Sequence, residues 1–250
     1  MSVEQPVRLH CFAHSAEGVG VFDDWAADVG AGVEPVPVLL PGCAQRRTEP
    51  RITTHAALLA DVLPSFTESR RGPYALYGAG LGAMAARGVT RALLEAGLPG
   101  PAFLAVGAWP PPRPPAALPD VRRATDAELL HALSRGGAVP AHSDEGIFLR
   151  AMLPVLRADL ELAQDLEDAA GRPSPAGPLT TPVLVVVAPD GPYSAGDAAG
   201  DWHRWTDGPV RVRTVPGPHA FGRGGRELPR LLGRACRIAR RLVQEAEPVG

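Results

Sequence analysis

A chain of 250 residues, 45% hydrophobic and 21% charged, has the length and balance of one sizeable soluble α/β domain with little left for a second. A formal net charge of −2 gives no field to attract nucleic acid or an anionic membrane, and no apolar run approaches the ~20 residues of a membrane span. The start lacks a signal-peptide pattern. The three cysteines (Cys11, Cys43, Cys236) are odd in number and lack metal-ligand spacing, which implies a reduced, cytoplasmic setting and no metal.

In chain order, Val7–Phe12 alternates and then turns apolar, as a strand entering a sheet does, and runs into the small-residue loop Ala13–Gly20. A helix opens near Trp25. Val36–Leu40 is expected as a second strand, and its prolines favour an edge position. Residues 55–66 place Leu58, Leu59, Val62 and Phe66 on one helical face. Tyr74–Tyr77 is a short buried strand, Gly78–Gly82 a glycine-rich turn, and an alanine-rich helix follows to about Leu94. Phe103–Gly107 is a strand with the stiff proline-rich exit Trp109–Pro115.

Residues 118–170 interrupt the alternation of strand and helix. Thr125-Asp-Ala-Glu128 is a capping box that starts one helix. Phe148, Met152, Val155, Leu156, Leu160 and Leu162 predict a second helix or helix pair. This segment reads as a lid inserted into a single domain spanning 1–250, with an ordinary helical layer as the alternative. Val183–Val187 is the strongest strand. A helix around Asp197–Trp205, strand Val210–Val215, the loop Pro216–Phe221 and a closing helix Leu228–Leu242 complete the chain. The alternation argues for one doubly wound, mostly parallel sheet.

The turn Gly78-Ala-Gly-Leu-Gly82 has the outer glycines of Gly-x-Ser-x-Gly, the strand–turn–helix elbow that raises a nucleophilic serine in α/β-hydrolases, but its middle residue is Gly80. Taken alone, it could equally be a glycine-rich βα turn or a phosphate-binding loop. Four further stretches agree in order and spacing. They are Phe12-Ala-His-Ser-Ala-Glu-Gly18, Leu40-Pro-Gly-x-x-x-Arg46 with Glu49-Pro50, Leu153-Pro-Val-Leu-Arg-Ala-Asp159, and Pro216-Gly-Pro-His219. Together they resemble the type II thioesterases that serve polyketide and nonribosomal-peptide assembly lines. That resemblance implies an α/β-hydrolase fold, an antibiotic-type secondary-metabolic pathway, a small-molecule or acyl-carrier-protein-bound substrate, and no cofactor.

The departures from the family pattern fall at the chemistry. Ala79 and Gly80 stand where the family has histidine and serine, Gly191 stands where it has the triad aspartate, with Asp190 one residue away, and Glu17 replaces an oxyanion-loop glycine. His219 matches the catalytic histidine. By analogy with the fold, the oxyanion donors are the N–H of Leu81 and that of Ser15 or His14. The candidate catalytic set is therefore His219, Glu17 and Asp190, with Ser15, His14, Leu81 and Gly80 contacting substrate. An imidazole titrating near 6.5 can move a proton either way at neutral pH, and a carboxylate in an apolar pocket would be a usable acid or base. Glu17 as a solvated loop residue is the alternative. Three readings follow: non-covalent acid/base or cyclisation chemistry, a pseudoenzyme that only binds, or an engineered serine-to-glycine knockout of a hydrolase.

Overall fold

The computed structural model describes residues 5–13, 19–68, 72–107, 120–133, 144–189, 200, 202–203, 205–216 and 225–246. Six strands form one sheet in which every pairing is parallel: β1 (Val7–Phe12), β2 (Val33–Pro37), β3 (Tyr74–Ala79), β4 (Leu104–Gly107), β5 (Val183–Val187) and β6 (Val210–Thr214). Their spatial order is β2-β1-β3-β4-β5-β6. The chain therefore steps outward from β1 to β2, then returns past β1 to β3. This reversal makes the carboxyl ends of β1 and β3 the topological switch point, where open α/β sheets hold their ligands.

The second strand lies earlier than the sequence suggests, at Val33–Pro37 rather than Val36–Leu40, but it is an edge strand as its prolines require. Val38 N–H donates to the Cys11 carbonyl, so even-numbered N–H groups face β1 and those missing at Pro35 and Pro37 would have pointed to the open edge. Pairing thus loses nothing at either proline.

Both faces of the sheet are covered, which is why its strands are nearly continuous apolar runs. On one face lie α2 (His55–Glu68), α3 (Leu81–Glu95) and the second half of α5 (Asp144–Ala170), with Leu58, Val62, Val89, Leu162 and Leu166 in one buried cluster. On the other, α1 (Trp25–Val29) and α6 (Glu227–Ala246) bury Trp25, Val29, Leu228 and Leu232 against Val7, Leu9 and Tyr77. Between β4 and β5 the chain makes the helical excursion α4 (Asp126–Leu133) and α5. The capping box is formed as read: Thr125 N–H donates to Glu128 Oε2 at 2.7 Å, and Glu128 N–H donates back to Thr125 Oγ1 at 3.3 Å.

A buried histidine makes the fold acid-sensitive. His10 on β1 is 6% exposed, packed at a tilt against Phe66 with ring centroids 4.6 Å apart and edge-on to Tyr74 at 5.9 Å. Burial, then the Arg8 charge, lowers its pKa to about 4. Between pH 6.5 and 4 the unfolded chain binds the extra proton and the native state does not, so stability falls as pH drops through that window and levels off below it. The loss should be on the order of 3 kcal/mol. We expect His10→Phe, which keeps a ring between Phe66 and Tyr74, to flatten that part of the profile. Urea midpoints measured from about pH 7 to about pH 4 check it, and equal pH dependence in the two proteins would contradict it.

Candidate active site

The turn between β3 and α3 is built from glycines that the backbone needs. Gly80 sits at φ 52, ψ −121, a conformation that a residue with a Cβ enters only under strain. Its N–H donates to the Gly107 carbonyl at 2.9 Å, tying the turn to the end of β4. Its carbonyl accepts from Ala83 N–H at 3.0 Å and Met84 N–H at 3.2 Å, so the helix starts without any spacer. The strand-to-helix reversal is therefore completed at a single residue.

On either side the chain passes too close for side chains. A Cβ on Gly78 would lie 2.1 Å from the Gly82 carbonyl oxygen, and one on Gly82 would lie 2.4 Å from the Phe12 carbonyl oxygen and 2.6 Å from that of Ala13. The chain thus leaves β1 in contact with the turn, immediately before residue 14. Leu81 is the first residue of α3, and its N–H belongs to the set with no carbonyl one turn back. It lies at the positive end of the helix dipole.

Gly80 and Leu81 are the two candidate site residues whose placement is described. His14, Ser15, Glu17, Asp190 and His219 lie outside the described residues. Their anchors all belong to one edge: Ala13 touches Gly82, Pro189 follows the end of β5, and Val215 N–H donates to the Val187 carbonyl at 2.9 Å just before Pro216. Among the described residues, no group of three or more His, Cys, Asp or Glu side chains could hold a metal ion, and no helix is long and apolar enough to cross a membrane.

Several motif residues that sequence reasoning left without a role turn out to brace the frame of the site. Arg46 ties down the loop after β2, donating to both oxygens of Glu49 (2.8 and 2.6 Å), both oxygens of Asp61 (2.8 and 2.7 Å) and the Leu39 carbonyl (2.9 Å). Arg157 donates to the Val121 and Ala124 carbonyls at 2.8 and 2.9 Å and pairs with Asp126 at 2.7 Å. Asp159 pairs with Arg51 at 3.3 Å. Arg87 on α3 is buried with its guanidinium 4.3 Å from the Trp205 ring centroid, and burial followed by the Arg91 charge lowers its pKa to about 10. The only sequence signal for Arg46, Arg157 and Asp159 was their place in the Leu-Pro motifs. Arg87 had none.

Gly80→Ala is expected to cost roughly 1 kcal/mol or more, because alanine gains a Cβ at a φ that penalises it. An unchanged thermal midpoint would mean that the turn relaxes to a different conformation.

Residues 7–249 match the model of the thioesterase domain family. The chain is 30% identical to the thioesterase PikA5 of Streptomyces venezuelae over 220 residues, covering 86% of this chain and 75% of that protein. In three dimensions it resembles RedJ, a thioesterase from the prodiginine biosynthetic pathway of Streptomyces coelicolor, with TM-score 0.70 and 30% identity over 93% of this chain and 86% of RedJ. It also resembles BorB, the type II thioesterase of the borrelidin biosynthetic cluster, with TM-score 0.65 and 25% identity over 98% and 96% of the two chains. The parallel six-stranded sheet flanked by helices is the α/β-hydrolase fold of these thioesterases.

Proposed function

Because this chain belongs to the thioesterase domain family and is related to the type II thioesterases of polyketide and nonribosomal-peptide pathways, we propose that it works on a polyketide-type substrate, free or carrier-bound, without a serine nucleophile. The observation that carries this reading is Gly80. It stands at the positive-φ apex between β3 and α3, where the elbow of such folds presents its serine, and it has no side chain to attack with. The catalysis left to the site is electrostatic and acid/base. Leu81 N–H polarises a substrate carbonyl, the early loop adds a second donor from Ser15 or His14, and His219 moves the proton with Glu17 as its counterpart. In this reading Asp190, next to the Gly191 that matches the triad aspartate, has the task of orienting His219. Such a site favours enolisation, cyclisation or elimination over acyl transfer, since no covalent intermediate has an atom to form on at position 80.

Intact-protein mass spectrometry after exposure to N-acetylcysteamine thioesters tests this directly. The expected mass is that of the unmodified chain at every time point. An acyl adduct would overturn the reading, and its mapped position would decide whether Ser15 had taken over as nucleophile.

A further inference from the structure

The α4–α5 excursion is fixed to the body through the second half of α5. Leu166 lies against Gly88, and the Arg91 guanidinium donates to the Ala169 carbonyl at 2.9 Å, so α5 runs beside α3 in the same direction with residue 166 next to 88 and 169 next to 91. Carried upward at this offset, Asp159 stands level with Leu81, at the turn. Residues 144–158, about 22 Å of helix, therefore rise past the carboxyl edge of the sheet.

Below Asp159 the helix is held by Leu162 and Leu166 in the main core, by Asp165 pairing with Arg122 and accepting from His55 N–H, and by Arg91. Above it the packing belongs to a separate small cluster of Val121, Ala124, Leu129 and Leu153, while Ile147 and Phe148 are more than 60% exposed.

We propose that the Arg51–Asp159 ion pair is a latch that holds the α4–α5 overhang, residues 144–158 of α5, at the level of the turn. Arg51 reaches Asp159 by lying across Gly42: a Cβ on that glycine would sit 2.3 Å from the Arg51 Cγ. The left-handed glycine of the Leu-Pro-Gly stretch (φ 79) is thus the groove through which the loop after β2 grips the helix. Both side chains are mostly shielded, at 26% and 13% exposed, so salt weakens the pair without abolishing it. The inference rests on the reading above only in taking the carboxyl edge as the way in for substrate.

Hydrogen exchange on the full chain tests the latch. Asp159→Asn and Arg51→Gln should each speed exchange of amides 146–158 by about twofold to fivefold, while Leu162–Ala170 and α3 keep their wild-type rates. Arg51→Lys, which keeps the charge, should exchange like wild type. Either neutral variant serves if the other fails to fold. Unchanged exchange in 146–158, equal acceleration in α3, or acceleration by Arg51→Lys matching that of Arg51→Gln would overturn the proposal. The readout needs no substrate, so failure of the latch leaves the role of Gly80 intact, and an acyl adduct on the protein would leave the latch intact.

Discussion

Gly78→Ala and Gly82→Ala should each leave little or no cooperatively folded protein at about 25 °C, a loss of at least about 3 kcal/mol. The obstacle in both cases is backbone rather than a side chain that can rotate away. The added methyl on Gly78 would overlap the Gly82 carbonyl, and the one on Gly82 would overlap the carbonyls of Phe12 and Ala13. Relief would require β1 and α3 to separate, yet Phe12, Leu76, Ala83 and Val106 are packed there with almost no exposed surface. Gly80→Ala is different in kind. It costs strain at one φ and should remain folded, so the three glycines, similar in sequence, should separate sharply in a denaturant series. A Gly82→Ala protein with a wild-type midpoint would show that the early loop does not cross the turn where the contact distances put it.

This contrast marks what the sequence could reveal. A buried parallel strand announces itself by its composition, as Val183–Val187 does, because both of its faces need apolar residues. The glycine turn was legible because only glycine tolerates such close approach, and the capping box because its two residues satisfy one another across three positions. Register was less legible. The strand at Val33–Pro37 begins three residues before its expected start, since its prolines sit on the side of the edge where no partner is missed. Residues 144–170 form one helix rather than a pair, because a proline removes one hydrogen bond from a long helix without ending it when packing holds both sides. Contacts such as Arg51–Asp159, 108 residues apart, leave no trace in local pattern at all. The motif Leu153–Asp159 hinted at them only because its positions serve different ends. Leu153 packs the small cluster, Arg157 ties down residues 121–126 and Asp159 pairs with the loop after β2.

The larger expected effect on activity is that His219→Ala and Glu17→Gln each lower product formation by about 10²- to 10⁴-fold in the pathway's own reaction, with substrate binding little changed. The reasoning starts from the sheet. Loops leaving β1, β3 and β6 of a parallel sheet emerge on the same carboxyl edge, and the switch point between β1 and β3 is where a ligand would lie. On the proposed reading, proton transfer is the chemistry left to side chains at that edge, so removing His219 or Glu17 should remove most of the rate. Gly80→Ser is the complementary test. The new hydroxyl would stand one residue before Leu81, but the family resemblance matches the triad aspartate to Gly191, and on that match the serine–histidine pair would lack its orienting carboxylate and lose orders of magnitude in turnover. We therefore expect at most weak hydrolysis of thioesters from Gly80→Ser. Full thioesterase turnover from that single change would mean that Asp190 already orients His219 and that the chain is a hydrolase lacking only its nucleophile. Wild-type flux through both His219→Ala and Glu17→Gln would instead leave a binding protein with no acid/base role.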